Sequence, residues 1–245
     1  PTFLNMFMAY LSDHPRAFPD LKLIVASGAP LYQHQINKLI DYFPYAQVIQ
    51  TYGLTEASPR VSMMKRGETK TSCGKTVAGV KLKIVDEERK EVGRNEIGEI
   101  VIQGNNVMLG YYKNELLTQS TMIDGWLYTG DLGYVDDDGD LHVAGRKKNI
   151  IIVGGVNVIP EEIEETLLLA DEVSEVVVVK KQCHTYGEIP VAVVKPAENK
   201  TLTVARLKRV CLQSLSPYKI PKEWYTTSVI PRTKTGKYNR GEIEA

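Results

Sequence analysis

The sequence is poor in cysteine and has no excess of charge of either sign. Its three cysteines, Cys73, Cys183 and Cys211, lie far apart and show no CxxC spacing. This pattern argues against a disulfide framework and a zinc site, and it favours a reducing cytoplasm. Because 30 Lys and Arg residues balance 30 Asp and Glu residues, nothing in the net charge indicates binding to nucleic acid or an anionic membrane. Any site for a polyanion is therefore local.

Long apolar runs are also absent. A transmembrane helix needs about 20 consecutive apolar residues, and none is predicted here. The opening stretch PTFLNMFMAY is apolar but has no basic leader and no small-residue cleavage site, so it is unlike a signal peptide. Since the chain lacks an initiator Met and starts within an amphipathic helical pattern, we expect it to be a fragment.

The pattern of apolar runs and turn residues predicts an α/β and α+β multidomain fold. The 43% of residues that are apolar are enough to build its hydrophobic cores. Residues 1–70 read strand, helix, strand, which is typical of a parallel α/β sheet with ligand loops at its strand ends. Residues 71–147 have short strands and dense turns and predict a small distorted β-barrel. Residues 148–245 predict a compact α+β domain. The expected strands are 21–27, 47–52, 80–85, 97–103, 126–135, 141–144, 150–153, 173–179 and 189–194, with helices at 33–43, 160–169 and 204–215.

Two strand ends in the first part carry groups suited to a nucleotide. Ser27-Gly28-Ala29-Pro30 has small residues that let the backbone approach a purine, although an ordinary βα turn is the stronger interpretation of this segment alone. Tyr52-Gly53-Leu54-Thr55-Glu56 offers a ring to stack on adenine, a hydroxyl for phosphate and a carboxylate for Mg²⁺. A capped turn with a solvated Glu is the alternative there.

Three later segments add charged groups. Tyr128-Thr129-Gly130-Asp131 places an acid after a tight turn, where it suits ribose hydroxyls or is a plain turn aspartate. Gly145-Arg146-Lys147-Lys148 precedes Gly154-Gly155 and indicates either a hinge beside an anionic ligand or a solvated face. Pro231 to Lys237 (PRTKTGK) is a basic loop suited to a phosphate or a solvated basic tail, and it lacks the P-loop spacing.

Taken together and in order, these segments resemble the adenylate-forming superfamily of acyl-CoA synthetases, luciferases and peptide-synthetase adenylation domains. The resemblance covers nearly the whole chain and lies in YGLTE, GEIVIQGNNVMLGYY, WLYTGDLGYVDDDGDLHVAGRKKNIII, GGVNVIPEEIE and PRTKTGK. It implies that 1–70 ends a large AMP-binding domain, that 71–147 is a barrel subdomain and that 148–245 is a mobile lid. The family's phosphate loop and most of its acyl pocket would lie upstream, so we expect this chain alone to have little or no turnover.

The resemblance also implies roles for individual residues. The adenine pocket would be shaped by Ser27, Gly28, Ala29, Pro30, Tyr52 and Gly53. Thr55 would touch phosphate, Glu56 would hold Mg²⁺, and Lys237 would reach the α-phosphate and the substrate carboxylate. The ribose would be bound by Asp131 and Arg146, the hinge would be Lys148, and the pantetheine tunnel would be bordered by Gly154 and Gly155. Val61 and Ser62 would line the floor of the acid pocket.

The implied reaction converts a carboxylic acid and ATP to an acyl-adenylate and then forms a thioester with coenzyme A, with Mg²⁺ as cofactor. A fatty acid, an aryl acid and a small acid are all compatible with the sequence. GGVNVIPEEIEE favours a CoA ligase over an adenylation enzyme that loads a carrier protein. A non-catalytic remnant acting as a binding module is the second alternative, and intact Glu56, Asp131, Arg146 and Lys237 argue against it.

Overall fold

A computed structural model describes residues 2–29, 31–234 and 236–243 of the chain. The chain forms two compact units, Pro1–Ala144 and Gly145–Ala245. Both combine helices with β-sheets, which confirms the predicted fold class. The expected division of the first unit near residue 70 stays a prediction. Among the described residues, no helix has the length and apolar character that a membrane span requires.

The first unit opens with a sheet that is covered by helices. Its elements are α1 (Thr2–Asp13), β1 (Leu23–Ala26), α2 (Gln33–Tyr42), β2 (Gln47–Tyr52), β3 (Ser62–Met63) and β4 (Lys75–Thr76). As predicted, β1 and β2 are parallel, and β3 and β4 extend the sheet antiparallel in the order β1-β2-β3-β4. Ile24 and Ala26 alternate with exposed residues along β1 and pack against Ile36 and Leu39 of α2.

The rest of the first unit is built on an antiparallel sheet. Its elements are β5 (Val80–Val85), β6 (Gly98–Gly104), α3 (Glu115–Thr121), β7 (Met122–Ile123), β8 (Trp126–Val135) and β9 (Leu141–Arg146). The strand order is β5-β6-β8-β7, with β9 paired to β8. The turn between β8 and β9 contains Gly139 at φ +83°, a conformation that glycine adopts at little cost. Asp136-Asp137-Asp138-Gly139 therefore forms the turn of a hairpin between the paired strands β8 and β9.

The second unit is built around a β-sheet that has buried residues on both faces. Its elements are β10 (Ile151–Val153), β11 (Val156–Val158), α4 (Pro160–Leu167), β12 (Val173–Cys183), β13 (Gly187–Pro196), α5 (Val204–Ser214), β14 (Glu223–Thr226) and α6 (Arg240–Ile243). The order is β11-β10-β13-β12, and β14 pairs parallel with β13. Val176 and Val178 of β12 belong to the core that includes Ile163 and Leu207, whereas Val177 and Val179 face a second cluster.

The central hairpin of this unit is longer than the sequence predicts. The ladder between β12 and β13 continues through Lys180↔Pro190 and Lys181↔Ile189 as far as Cys183↔Gly187. Hydrophobic patterning ends β12 at Val179, because the lysines that follow break the apolar run. Backbone pairing with β13 extends the strand regardless of those side chains. The sequence pattern also does not predict the short elements α3, β11 and β14, since three to seven residues give little periodicity.

Candidate active site

The loop after β2 is shaped by close backbone contact. A Cβ built on Gly53 would lie 1.6 Å from the carbonyl oxygen of Pro59, so no larger residue fits without a backbone shift. The amide of Val61 donates to the carbonyl of Tyr52 at 2.9 Å and closes the loop. Thr55 is exposed, and Glu56 is half-buried, in a short 3₁₀ turn at Thr55–Ala57. The loop therefore presents the side chains of Thr55 and Glu56 on a constrained backbone.

Tyr52 joins this loop to the predicted ribose-binding turn. Its hydroxyl donates to Oδ2 of Asp131 at 2.8 Å. Both side chains are buried, with Tyr52 8% and Asp131 5% exposed. The two residues are 79 positions apart in the sequence, so the fold brings together two separate sequence motifs. An uncompensated buried carboxylate is costly, and the Tyr52 hydroxyl reduces that cost.

A bulge in β8 places Asp131. The pairs Val101↔Tyr128 and Glu99↔Leu132 flank it, so Thr129, Gly130 and Asp131 lie opposite Ile100 alone. The hydroxyl of Thr129 donates to the carbonyl of Ile100 at 2.7 Å and accepts from the amide of Asp131 at 3.1 Å. The amide of Gly130, at φ +68°, donates to Glu99 Oε1 at 3.1 Å. Bulges redirect side chains, and this one turns the Asp131 carboxylate to Tyr52.

The carboxylate of Glu56 is oriented by Tyr111. The Tyr111 hydroxyl donates to Glu56 Oε1 at 2.9 Å, and the amide of Met108 donates to the Glu56 carbonyl at 2.8 Å. Asn106 adds a hydrogen bond to the carbonyl of Ala57 at 2.8 Å. Burial and the contact with Glu56 raise the pKa of Tyr111. The sequence motif that contains Tyr111 does not predict this role, because no spacing rule links Tyr111 to Glu56.

The loop after β1 is anchored by a glutamine that motif reasoning missed. Ser27, Gly28 and Ala29 are exposed, and Gly28 has φ +84° with open space where a Cβ would be. The buried side chain of Gln50 accepts from the amide of Leu31 at 3.1 Å and donates to Cys73 Sγ at 3.1 Å. Pro30 lies outside the described residues. Gln50 therefore ties the end of the loop to β2.

Any magnesium ion at Glu56 would be coordinated by few protein side chains. Within 2–29, 31–234 and 236–243, no group of three or more His, Cys, Asp and Glu residues could hold a metal. Mg²⁺ at nucleotide sites is commonly bound through one or two carboxylates, with phosphate oxygens and water supplying the rest. A single oriented carboxylate at Glu56 fits that pattern.

Arg146 and Lys148 lie at the start of the second unit. Arg146 is half-buried at the end of β9, and Lys148 is exposed in a 3₁₀ turn at Lys147–Asn149. The side chain of Asn149 donates to Glu161 Oε1 of α4 at 3.0 Å. A Cβ built on Gly145 would lie 2.5 Å from Glu161 Oε2, so this glycine allows close approach to α4. Residues on both sides of Lys148 thus lie close to Glu161 of α4, and Asn149 is hydrogen-bonded to it.

Gly154 and Gly155 form the two-residue loop between β10 and β11, where Val153 pairs with Val156. Their φ values are +58° and +84°. Positive φ at both central positions is the signature of the type I′ turn, which favours glycine. Both are exposed, and a Cβ at either position would meet nothing within 4 Å. The turn alone accounts for the two glycines, and it leaves open space beside them.

Lys237 is exposed, and backbone hydrogen bonds join the described residues around it. The amide of Thr233 donates to the carbonyl of Lys237 at 2.8 Å, and the amide of Gly236 donates to the carbonyl of Thr233 at 2.9 Å. Arg232 and Tyr238 form an antiparallel bridge at its base. Gly236 has φ +83°. Thr235 lies outside the described residues, and the rest of PRTKTGK is closed by these bonds and displays Lys237 near its end.

Known proteins share this architecture. The model of the AMP-binding enzyme family matches residues 1–112, and the model of the AMP-binding enzyme C-terminal domain matches residues 162–237. The two units thus have the fold of adenylate-forming enzymes. Since the two matches together cover most of its length, the chain belongs to the family of AMP-binding enzymes.

Several relatives are CoA ligases by name. The chain is 38% identical over 236 residues to a 2-succinylbenzoate–CoA ligase of Bacillus cytotoxicus, covering 95% of this chain and 45% of that protein. It is 34% identical to 4-coumarate-CoA ligase 1 of Narcissus pseudonarcissus, with 92% and 43% covered. The solved o-succinylbenzoate CoA synthetase of Bacillus subtilis, in complex with its acyl-adenylate, superposes with TM-score 0.87 at 28% identity over 98% of this chain and 50% of that one. The chain spans about half the length of these relatives.

Proposed function

We propose that the chain is the C-terminal half of an AMP-forming acid–thiol ligase, which activates a carboxylic acid with ATP and passes the acyl group to coenzyme A. The observation that carries this proposal is the buried hydrogen bond between Tyr52 and Asp131. It brings together the two segments for which the sequence predicts adenine and ribose binding. The named CoA ligases among the relatives support the same reaction class.

In this proposal the first unit binds the nucleoside. Ser27, Gly28, Ala29 and Pro30 border the adenine with the ring of Tyr52, and Gly53 lets the chain turn there. Asp131 accepts hydrogen bonds from the ribose hydroxyls. Its Oδ2 already accepts from Tyr52, so the carboxylate is oriented before ligand binds, which lowers the entropic cost of recognition.

Thr55 and Glu56 serve the phosphates. The exposed hydroxyl of Thr55 donates to a phosphate oxygen, and Glu56 holds Mg²⁺ with Tyr111 fixing its orientation. Bound Mg²⁺ would supply positive charge to the phosphate oxygens. The contact with Tyr111 restricts rotation of the Glu56 carboxylate. This matters because catalysis of phosphoryl and nucleotidyl transfer depends mainly on positioning and electrostatics.

The second unit supplies the remaining groups. In the first step an oxygen of the acid attacks the α-phosphorus and pyrophosphate leaves, while Lys237 stabilises charge on the phosphate and carboxylate oxygens. In the second step the thiolate of CoA attacks the acyl carbonyl and AMP leaves. Arg146 contributes to ribose binding and Lys148 is the hinge between the steps. Gly154 and Gly155 border the pantetheine path, consistent with the open space at their turn.

For the acid we propose an aryl-substituted carboxylic acid. The names of similar proteins specify 2-succinylbenzoate, 4-coumarate and indoleacetate, all of which carry an aromatic ring. A fatty acid, which the sequence also allows, is the second candidate. Val61 and Ser62 are both fully buried, so they support the proposed pocket floor from within the unit and do not decide between these acids.

The test is ATP–pyrophosphate exchange by the full-length protein that carries this chain, against aryl, fatty and small acids. Exchange with one acid class, followed by CoA-dependent release of AMP, is the expected result. Lys237→Ala is the matched control, which should abolish exchange but retain thioester formation from supplied acyl-adenylate. AMP release that requires a carrier protein instead of CoA would favour the carrier-loading alternative. Lack of exchange with every acid would favour the non-catalytic one.

A further inference from the structure

Lys237 is exposed, but the chain immediately before it is attached to the sheet of the second unit by Arg232. The Arg232 guanidinium donates to the carbonyl of Gly236 at 2.8 Å and lies 4.5 Å from the centre of the Tyr238 ring. It also pairs with the carboxylate of Glu175 on β12. Lys195 donates to the other oxygen of Glu175 at 2.8 Å. One guanidinium thus contacts both limbs of the Lys237 loop and a fixed anion on β12.

The charge of that anion is secured by its partners. Burial by itself would raise the pKa of Glu175, but hydrogen bonds from Lys195 and Arg232 and their positive charges lower it. The carboxylate is therefore ionised at neutral pH. A charge-assisted, half-buried contact of this kind is stronger than an exposed ion pair.

The chain immediately after Lys237 is attached by a second arginine. Arg240 pairs with Glu164 of α4, with Nη1 2.7 Å from Oε1 and Nη2 3.1 Å from Oε2. It also donates to the carbonyl of Val178 and, at 3.3 Å, to Glu161 Oε1. Glu161 accepts in turn from Asn149, next to Lys148. The same network therefore connects the Lys237 loop with the predicted hinge through α4.

We propose that Arg232 and Arg240 are positioning residues for Lys237, which fix the base from which its ammonium group reaches the reacting phosphate. This inference rests on the proposed function. The bonds within the loop, such as Thr233 to Lys237, set its shape, whereas the two arginines set its location on β12 and α4. A lysine side chain is long and flexible, so the position of its ammonium group depends on where its backbone is held. A misplacement of about 1 Å can cost about 100-fold in rate.

Arg232 is the better residue to change, because removal of Arg240 would leave the buried Glu164 without its cation and endanger folding. Arg232→Gln keeps much of the side-chain stem and removes the charge and the guanidinium fork. The matched control is Arg206→Gln, since Arg206 is also in the second unit and also contacts a carboxylate, that of Glu172 at 3.4 Å. Arg232→Lys restores the charge without the fork and tests whether charge alone suffices.

In the full-length protein, Arg232→Gln should lower kcat of ATP–pyrophosphate exchange by about 10- to 100-fold, with little change in KM for the acid. Thioester formation from supplied acyl-adenylate should stay near the wild-type rate, because that step is not assigned to Lys237. Arg206→Gln should affect neither step, and Arg232→Lys should recover part of the exchange. Wild-type exchange by Arg232→Gln, or equal loss in both steps, would overturn the inference.

A second measurement needs no turnover. Amide hydrogen exchange in this chain should become faster at Gly236, Lys237 and Asn239 in Arg232→Gln, while β12 and β13 stay protected. Unchanged protection of the loop would overturn the inference, and so would loss of protection throughout the sheet, since that would show a general effect on stability. If the wild-type protein fails to catalyse exchange with any acid, the proposed function falls, whereas the amide exchange still decides whether Arg232 fixes the loop.

Discussion

The loop at 52–61 in the first unit and the loop at 231–240 in the second are held in place by different forces. Around Gly53 the backbone packs so closely on Pro59 that side-chain volume is excluded. Tyr52 adds a buried hydrogen bond to Asp131. Around Lys237 the loop is exposed, and the charged side chains of Arg232 and Arg240 attach it to the sheet and α4.

Because different forces hold the two loops, we expect them to tolerate different kinds of substitution and solution conditions. A loop fixed by backbone packing should be disrupted by a small increase in side-chain volume, and its stability should depend little on pH or salt. A loop fixed by ion pairs should tolerate changes of volume and respond to whatever alters the charge of its partners. The proposed roles agree with this contrast, because the first loop receives the nucleotide and the second must present a lysine for only one of two steps.

The largest effect is expected for Gly53→Ala. The added methyl group would lie 1.6 Å from the Pro59 carbonyl oxygen, and the backbone on at least one side would have to move. We expect a loss of about 4 kcal/mol or more in the free energy of unfolding of the first unit, among the larger effects of single substitutions. Denaturant unfolding followed by fluorescence measures it.

The chain offers both a selective probe and a control for this experiment. Its two tryptophans are Trp126 in the first unit and Trp224 in the second, so Trp224→Phe leaves a probe for the first unit alone. Gly139→Ala is the matched control, since Gly139 has φ +83° but a Cβ built there would meet only Cε of the Lys75 side chain, at 4.0 Å, an ordinary van der Waals contact. A left-handed alanine should cost about 1 kcal/mol. Equal losses for the two variants would contradict the packing argument.

The second prediction concerns Glu164, the buried partner of Arg240. Burial raises the pKa of Glu164 from 4.5 to about 7, although Arg240 lowers it. Between these values the folded state binds more protons than the unfolded state, so the free energy of unfolding falls as pH rises from 4.5 to 7. The size of this fall is about 3 kcal/mol. Glu164→Gln cannot titrate and should gain that amount over the wild type across the same window.

The measurement is urea unfolding of both proteins at pH 4.5, 6 and 8, with Trp126→Phe so that Trp224 reports on the second unit. Other groups titrate alike in the two proteins and cancel in the difference. Glu175 has the opposite behaviour, because its lowered pKa gives stability that is lost as pH falls. A constant difference between wild type and Glu164→Gln at all three pH values would show that Glu164 keeps its charge throughout.

Local structure was largely predictable from the sequence, and contacts were not. β2 at Gln47–Tyr52 and β8 at Trp126–Val135 match their predicted bounds, since apolar runs ended by glycine or by a turn define strands well. The family could be identified from motif order alone. By contrast, the hydrogen bond from Tyr111 to Glu56 and the one from Gln50 to Leu31 join distant segments. No local pattern encodes such pairs.

The positions of Arg232 and Arg240 illustrate the same limit. In the sequence Arg232 belongs to PRTKTGK, which also fits a solvated basic tail, and Arg240 lies three residues beyond that segment. Only the fold shows that their partners, Glu175 and Glu164, lie on β12 and α4. Charge composition predicts a basic segment, whereas the location of the opposite charges depends on how strands and helices pack.

The smallest of the three effects is expected for Tyr52→Phe. It removes the hydroxyl that donates to Asp131 and changes little volume, so it isolates the hydrogen bond from the packing. Loss of a donor to a buried carboxylate should cost about 2 kcal/mol of unfolding free energy in the first unit.

Fluorescence of Trp126 in the Trp224→Phe background measures this loss, and Tyr45→Phe is the control because Tyr45 is exposed. The effect should be the same at low salt and in about 0.5 M NaCl, since a buried contact is little screened. A salt-dependent loss would mean that the first loop also depends on exposed charge, and the distinction drawn between the two loops would then fail. If the loss is salt-independent and Asp131→Asn in the Tyr52→Phe background adds little more, the hydroxyl and carboxylate act as one unit that holds the proposed ribose-binding turn against the adenine loop.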